Sequence, residues 1–516
     1  MSSSAGPSRG PGTPPPDPRE GLTHGDGPWA GLRVVVGGLG LSGFAAADAL
    51  LERGASVTAV DAGDGRAIEE RRKILGILGA RLLTGTDGAS ALADEVTAAE
   101  LLDGADLVVI SPGWRPGHPL PVAAANAGIP VWGEVELAWR MRPLRGAAPW
   151  LTLTGTNGKT TTVNMTASIL GAAGLRATSA GNVGTPILEA VLHPKPYDVI
   201  AVELSSFQLH WQRSLSPLAS ACLNVAPDHI DWHGSLEAYA AAKGRVYDGT
   251  RVACVYNVQD ERTEALVRAA EVVEGARAIG FTLGVPGLSM LGVVDDVLAD
   301  RAFVPNRHTH AAELATLADL RRGELPPPPH TIANALAAAA LARAAGVPPQ
   351  AVRDGLRAFT PDPHRIAAVG RIDEVSYVDD SKATNPHAAA ASLAAFEHVV
   401  WVAGGLLKGA DVDDLVAEHA GRLRGVVLIG ADRAQIAQAL ARHAPQVPVI
   451  DAGTDQTEAM DRAVGEAAAL AQPGDVVLLA PAAASMDMFS DYGARGDAFA
   501  AAVRRRSDRL GGTRGP

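Results

Sequence analysis

The residues most able to do chemistry are a lysine and a threonine behind two spaced glycines. LTGTNGKTTTVNM (153–165) follows a hydrophobic strand and opens a helix. Its Gly155-x-x-Gly158-Lys159-Thr160 core, with Thr156, Asn157 and Thr161, gathers backbone N–H groups, an ammonium and hydroxyls around a polyphosphate. Lys159 would neutralise phosphate oxygens, and the Thr160 hydroxyl would reach Mg²⁺. The full phosphate-loop pattern has glycine at position 153, where this chain has Leu153, so the loop is a shortened form. ATP binding is the expectation.

GGLGLSG (37–43) also lies between a strand and a helix, and Asp61 ends the next strand. The spacing Gly38-x-Gly40-x-x-Gly43 is the dinucleotide fingerprint. The physics demands only a nucleotide diphosphate at a helix N-terminus, so NAD(P) and a UDP-sugar both satisfy it. A plain strand–helix turn would use the same glycines. An ATP loop in the same chain shifts the balance. Hydride transfer has no need of ATP, whereas a ligase joining a nucleotide-carried acid to an amine needs both loops.

VELSSFQL (202–209) puts Glu203, Ser205 and Gln208 at a strand end, where a carboxylate can hold Mg²⁺ directly or through water. NVAPDHIDWHG (224–234) clusters Asp228, His229, Asp231 and His233, either metal ligands or loop-surface residues. AYAAAKGRVY (238–247) places Lys243 among small residues, and spacing alone assigns it no chemistry. Further on, TPDPHR (360–365) brings His364 and Arg365 to a junction. VDDSKATNP (378–386), AGGLLKGAD (403–411) and APAAASMDMFSDYGARGDAF (480–499) then give three polar loops after strands. Together they suggest one binding edge for a small anionic substrate, with Lys382 and Lys408 as charge partners.

These loops need sheets to position them. Val/Ile/Leu-rich strands alternate with Ala-rich helices throughout, which predicts three α/β domains with parallel sheets. Asp295 to Pro329 reads as loop, followed by a helix from near Thr331. Residues 1–28 and 506–516 read as tails. The 516 residues carry a net charge of −12, which disfavours a nucleic-acid binder. No apolar run is long enough for membrane insertion, and Cys222 and Cys254 fit the core of a cytoplasmic protein. Only six of the 45 basic residues are lysine, so each surviving lysine is a candidate for work that arginine cannot do.

GTNGKTTT, GNVGTP (181–186), ELSSFQL, HTIANALAA (330–338), PHR (363–365), DDSKATN (379–385), AGGLLKG and APAAASMDMF follow one another across residues 30–500. In that order the chain resembles the Mur ligases of bacterial cell-wall synthesis. DDSKATN with ELSSFQL looks most like the D-glutamate-adding branch. The resemblance implies a Rossmann-like UDP-binding domain (29–146), a central P-loop ATPase domain (147–361) and a C-terminal Rossmann-like domain (362–505). It implies a monomeric, ATP- and Mg²⁺-dependent amide ligase, with two metal ions. Its substrates would be UDP-N-acetylmuramoyl-L-alanine and D-glutamate, joined through an acyl phosphate.

By the same resemblance, Glu203 and His229 support the metals and Lys243 matches a carbamylated lysine that supplies an anionic oxygen. Lys159, Lys243 and His229 are the implied catalytic set. Asn334, Arg365 and Asp380 match adenine-nucleotide positions. Leu41, Ser42, Asp61, Asn182 and Ser205 match the UDP-muramoyl side. Lys382, Thr384, Lys408, Ser485 and Tyr492 match the D-glutamate site. Two departures stand out: Ala62 follows Asp61 where a small hydroxyl residue is usual, and Tyr492 replaces a phenylalanine. An ATP-gated binding module without turnover is a further reading, and the retention of Lys159, Glu203 and Lys243 speaks against it.

Overall fold

The computed structural model describes residues 21–321, 326–455 and 458–511. Three parallel-rich sheets follow one another along the chain, in a mixed α/β architecture. The first runs Arg81–Thr84, Ser56–Asp61, Arg33–Gly37, Leu107–Ile110, Val131–Gly133, all parallel. Its order reverses between Arg33–Gly37 and Leu107–Ile110, and the glycine loop leaves the sheet there.

The second sheet has nine strands. Trp150–Thr154 lies between Val199–Glu203 and Ala219–Cys222, all three parallel and buried along their whole length. Such strands are covered on both faces, so they read as apolar runs rather than as alternating patterns. The segment expected to be loop from Asp295 instead extends this sheet. Val297–Asp300 and Ala312–Thr316 add antiparallel strands, and Leu317–Leu320 adds a helical turn. These runs are too short to stand out from loop in sequence. Leu298, Leu314 and Ala315 are wholly buried in the core, and Asp300, also wholly buried, pairs with Arg343 at 2.9 Å.

In the third sheet, Val375–Asp379, Val476–Leu479 and Val399–Ala403 are parallel neighbours. The three polar loops at 380–385, 480–490 and 404–411 therefore emerge side by side. Both expected tails are partly structured. Residues 1–20 and 512–516 lie outside the described residues, but Leu22 is fully buried and its carbonyl accepts from Arg140 Nη1 at 3.1 Å. Leu22 and the following Trp29 seat in an apolar core, and Gly25 N donates to the Arg142 carbonyl at 2.8 Å. The last helix, Tyr492–Gly511, continues past residue 505. Among the described residues no helix is long and apolar enough to cross a membrane.

The helix that follows the phosphate loop, Lys159–Ala172, is braced by the helix Pro349–Ala358. Gly355 makes the contact possible: a Cβ there would lie 2.3 Å from Cα of Ile169. Ser168 Oγ also donates to the Gly355 carbonyl at 2.7 Å. A Gly355→Ala substitution forces the two backbones apart, and overpacking of this kind costs about 1–3 kcal/mol. Thermal unfolding should register a lower Tm, and an unchanged Tm would contradict the close approach.

Candidate functional site

Gly158 caps the phosphate-loop helix with φ +83°, a left-handed conformation that a side chain strains. Asn334 reinforces the requirement, since a Cβ on Gly158 would meet its Oδ1 at 2.4 Å. The loop is also tied to the residues after Ala219–Cys222. Thr156 N donates to the Asn224 carbonyl at 3.0 Å, and Asn157 N to Asn224 Oδ1 at 2.9 Å. Thr156 Oγ1 accepts from Ala226 N at 3.0 Å and lies 3.1 Å from the Tyr239 hydroxyl.

Two ammonium groups meet on this loop. Lys159 Nζ donates to the carbonyls of Gly155 and Thr156, both at 2.9 Å. Lys243 Nζ donates to the same Gly155 carbonyl at 2.8 Å. Lys243 sits on the helix Leu236–Gly244, whose N-terminus Ser235 caps by accepting from Ala238 N at 3.1 Å. Its Nζ lies 4.6 Å from the centroid of Tyr239, one turn back on the same helix. That i, i+4 spacing was the signal in the sequence that could have singled out Tyr239. Burial lowers the pKa of Lys159, against the pull of Glu203 and Asp228. Burial, then the Lys159 charge, brings Lys243 down to about 7.

Glu203 ends its strand almost completely buried. Its Oε1 accepts from Asn182 Nδ2 at 2.9 Å, while Oε2 is buried without a hydrogen-bond partner. Thr160 is buried in the first turn of the phosphate-loop helix. No group of three or more His, Cys, Asp and Glu is gathered as a metal cluster among the described residues. A carboxylate oxygen lacking a donor, near a hydroxyl and a phosphate loop, nonetheless fits Mg²⁺, which takes few protein ligands and keeps water and phosphate oxygens. His229 is half-exposed, with φ +52°, and packs on Phe207 at 4.8 Å between ring centroids. Burial lowers its pKa as well.

A cleft of about 930 Å³ opens beside the loop, lined in part by Asn224, Asn257, Asp260, His330, Asn334 and His387. His387 lies in the first turn of the helix Pro386–Leu393, which follows the 380–385 loop, and its Nδ1 lies 2.8 Å from Asn157 Nδ2. Asn385 Nδ2 donates to Asn157 Oδ1 at 3.3 Å. Of the expected adenine-nucleotide residues, Asn334 lines this cleft. Arg365 instead lies 3.6 Å from Asp362, and Asp380 accepts from Ser392 Oγ and from Ile366 N at 3.3 Å. Burial raises Asp380 to about 6.

The remaining expected residues are spread over two openings. Lys382 Nζ lies 3.6 Å from the Tyr492 ring centroid, Ser485 is buried, Thr384 is half-buried, and Lys408 occupies an exposed turn with φ +53°. Arg495, absent from the expected set, is buried beneath them. It donates to Ser381 Oγ and O at 2.9 Å each and to the Ala483 carbonyl at 3.1 Å. On the first sheet, Asp61 Oδ2 accepts from Leu39 N at 2.6 Å, and Ser42 is half-buried in the first turn of the helix after the glycine loop. Leu41 is exposed. Ser205 caps the helix Ser206–His210, accepting from Gln208 N at 3.2 Å.

Residues 153–342 match the Mur ligase middle domain and residues 364–483 the Mur ligase glutamate ligase domain. The chain belongs to the Mur ligase family. Within that family, 92% of it aligns at 61% identity with 98% of a UDP-N-acetylmuramoylalanine–D-glutamate ligase of Streptomyces avermitilis. The protein of the same name from Leifsonia xyli is 55% identical, with 95% of each chain covered. Among solved structures, the UDP-N-acetylmuramate-alanine ligase MurC of Thermotoga maritima superposes with a TM-score of 0.52 at 19% identity, over 93% of this chain and 99% of that one. That likeness is one of fold.

The lowered pKa of Lys243 has a consequence for stability. An amine that titrates near 7 when folded and near 10.4 when unfolded disfavours the native state fully below pH 7, and the penalty fades as pH rises toward 10.4. Lys243→Met should therefore stabilise the fold most at pH 7 and below, with the gain shrinking through that window. Urea unfolding at several pH values checks this, and a pH-independent difference would contradict it.

Proposed function

We propose that the chain is an ATP-dependent ligase that joins D-glutamate to UDP-N-acetylmuramoyl-L-alanine in peptidoglycan precursor synthesis. The observation that carries this reading is the convergence on Gly155 of two buried lysines, close to a buried carboxylate oxygen that has no donor. This site accepts concentrated negative charge. An ATP triphosphate and a substrate carboxylate bring it. The names and high identity of the aligned relatives support the same substrates. The hydride-transfer reading of the first glycine loop has no such support.

In this reading the three sheets act as three units, 29–146, 147–361 and 362–505, of a cytoplasmic monomer. Leu41, Ser42 and Asp61 receive the UDP end, and Asn182 and Ser205 the muramoyl end. The substrate carboxylate attacks the γ-phosphorus of ATP, the bond to the β-phosphate oxygen breaks, and an acyl phosphate and ADP result. The D-glutamate amine then attacks the acyl carbon and loses a proton, and phosphate leaves with the carbon–oxygen electron pair. This chemistry asks for in-line positioning and charge neutralisation rather than a covalent nucleophile on the protein.

Lys159 and the N–H groups of Gly158 to Thr161 hold the β- and γ-phosphates. Asn334, Arg365 and Asp380 take the nucleoside end. Thr160, Glu203 and His229 would hold Mg²⁺, which supplies charge neutralisation on the phosphates when bound. Lys243, brought down to about 7 by burial, is about half neutral amine at pH 7, the form that adds CO₂ to give a carbamate and a proton, so that a cation becomes an oxygen ligand. Lys382, Thr384, Lys408, Ser485 and Tyr492 receive D-glutamate.

Phosphate release from ATP should require both co-substrates together; release independent of D-glutamate, or none with the complete set, would overturn the reading. Glu203→Gln keeps the shape but withdraws the charge, and a loss of about 100-fold or more in kcat is expected, as for other electrostatic groups at a reacting centre. Titration with Mg²⁺ should show a weakened metal dependence in the same variant.

A further inference from the structure

The proposed reaction needs two loops in register, the phosphate loop for ATP and the 380–385 loop that carries Lys382 and Thr384. Asn157 stands between them. Its main chain is fixed by Asn224: the Asn157 N–H donates to Asn224 Oδ1 at 2.9 Å, and the Asn157 carbonyl accepts from Asn224 Nδ2 at 3.1 Å. Its side-chain amide meets two residues of the third sheet's segment, Asn385 and His387.

Asn385 fixes the direction of these bonds. It caps the helix Pro386–Leu393, its Oδ1 accepting from Ala388 N at 2.8 Å, so its Nδ2 is the group that donates to Asn157. The Asn157 oxygen therefore faces Asn385, 3.3 Å away, and the Asn157 amide nitrogen faces His387. An amide nitrogen donates and does not accept. Nδ1 of His387, 2.8 Å from it, is then the acceptor, which requires a neutral ring with its proton on Nε2. An imidazolium would set one N–H against another, and the bond would be lost.

Burial lowers the pKa of His387, although the residue keeps part of its surface in solvent. Two acids oppose that shift: Asp260, before the helix Glu261–Arg268, and Glu418, on the helix Asp413–His419. Glu261, Arg262 and His330 line the same cleft. The balance keeps the acceptor form at neutral pH.

We propose that His387 is a positioning residue for the ligase reaction, a neutral acceptor that fixes the Asn157 side chain and so registers the phosphate loop against the loop carrying Lys382 and Thr384. The inference rests on the ligase reading. His387 acts through Asn157, and a misplacement of about 1 Å at such a remove from the chemistry costs up to roughly 100-fold in rate.

His387→Ala should lower kcat by about 10-fold, a single bond being one part of that registration. His387→Asn, whose Oδ1 offers an acceptor in place of Nδ1 but does not titrate, should recover most of the loss. In an Asn157→Ala background, His387→Ala should cost nothing further, as expected of two residues that act through one bond. The ratio of His387→Asn to wild-type activity should rise as the pH falls below the usual histidine range, since every other titrating group is common to both. Nitrogen-15 NMR of the histidine-labelled full chain, without substrates, reads the ring directly. The signal missing from His387→Asn should be that of a neutral Nε2–H tautomer at neutral pH. An Nδ1–H tautomer or a charged ring there, additive losses in the Asn157→Ala background, or a ratio flat in pH overturns the inference and leaves the ligase reading standing. A wild-type chain that releases no phosphate with the complete substrate set overturns both.

Discussion

One carbonyl oxygen, that of Gly155, accepts from two ammonium groups that burial has already stripped of most water. The fold tolerates this arrangement by letting Lys243 titrate near neutrality and by placing Glu203 and Asp228 within reach of both lysines' fields. Neighbouring Arg365 and Lys382 add further positive charge. Such a centre is an unfinished electrostatic structure, completed by anions. The rest of the molecule can be understood as the means of bringing particular anions to it.

Each sheet contributes at its carboxyl edge; the first two share one apolar core and a backbone bond from Gly133 N to the Trp211 carbonyl at 3.3 Å, and polar side chains add further joints. Asn157 of the phosphate loop meets Asn385 of the third sheet's loops and His387 of the helix that follows. Asp231 and Trp232 meet the first sheet's Arg115 and Gly113. Asn182 bridges to Glu203, so a residue on the muramoyl side in the proposed reading also orients the carboxylate beside the phosphate loop. Beneath the third sheet's loops, the guanidinium of Arg495 ties Ser381 to Ala483, giving those separate turns a common base.

Much of this was legible in sequence because parallel strands buried on both faces leave apolar runs that end in polar loops. GTNGKTTT, VELSSFQL and VDDSKATNP each stood at such an end, and the structure puts them there. What escaped reading had no local signature. Val297–Asp300 and Ala312–Thr316 pair with each other and bury Leu298, Leu314 and Ala315 in the second sheet's core, while Arg343, more than 40 positions from the first of them, meets the buried Asp300. Arg495 looks like one arginine among many until the fold buries it. Glu203's partnerless oxygen and the shared acceptor of Lys159 and Lys243 are facts of geometry, invisible in spacing. Lys243 itself was notable for the scarcity of lysine, yet only burial reveals why an arginine, which stays charged, would not serve there.

The backbone contact at Gly355 bears on how such a molecule moves. Helix Lys159–Ala172 is pressed against its neighbour at the level of main-chain atoms, so it has no slack in which to slide or roll. A shift of this helix against its neighbour is thereby opposed by main-chain atoms on both sides. The phosphate loop at the start of that helix is thereby fixed in the frame of its own sheet. Precision at the loop is thus set in part by a glycine almost two hundred residues further along the chain.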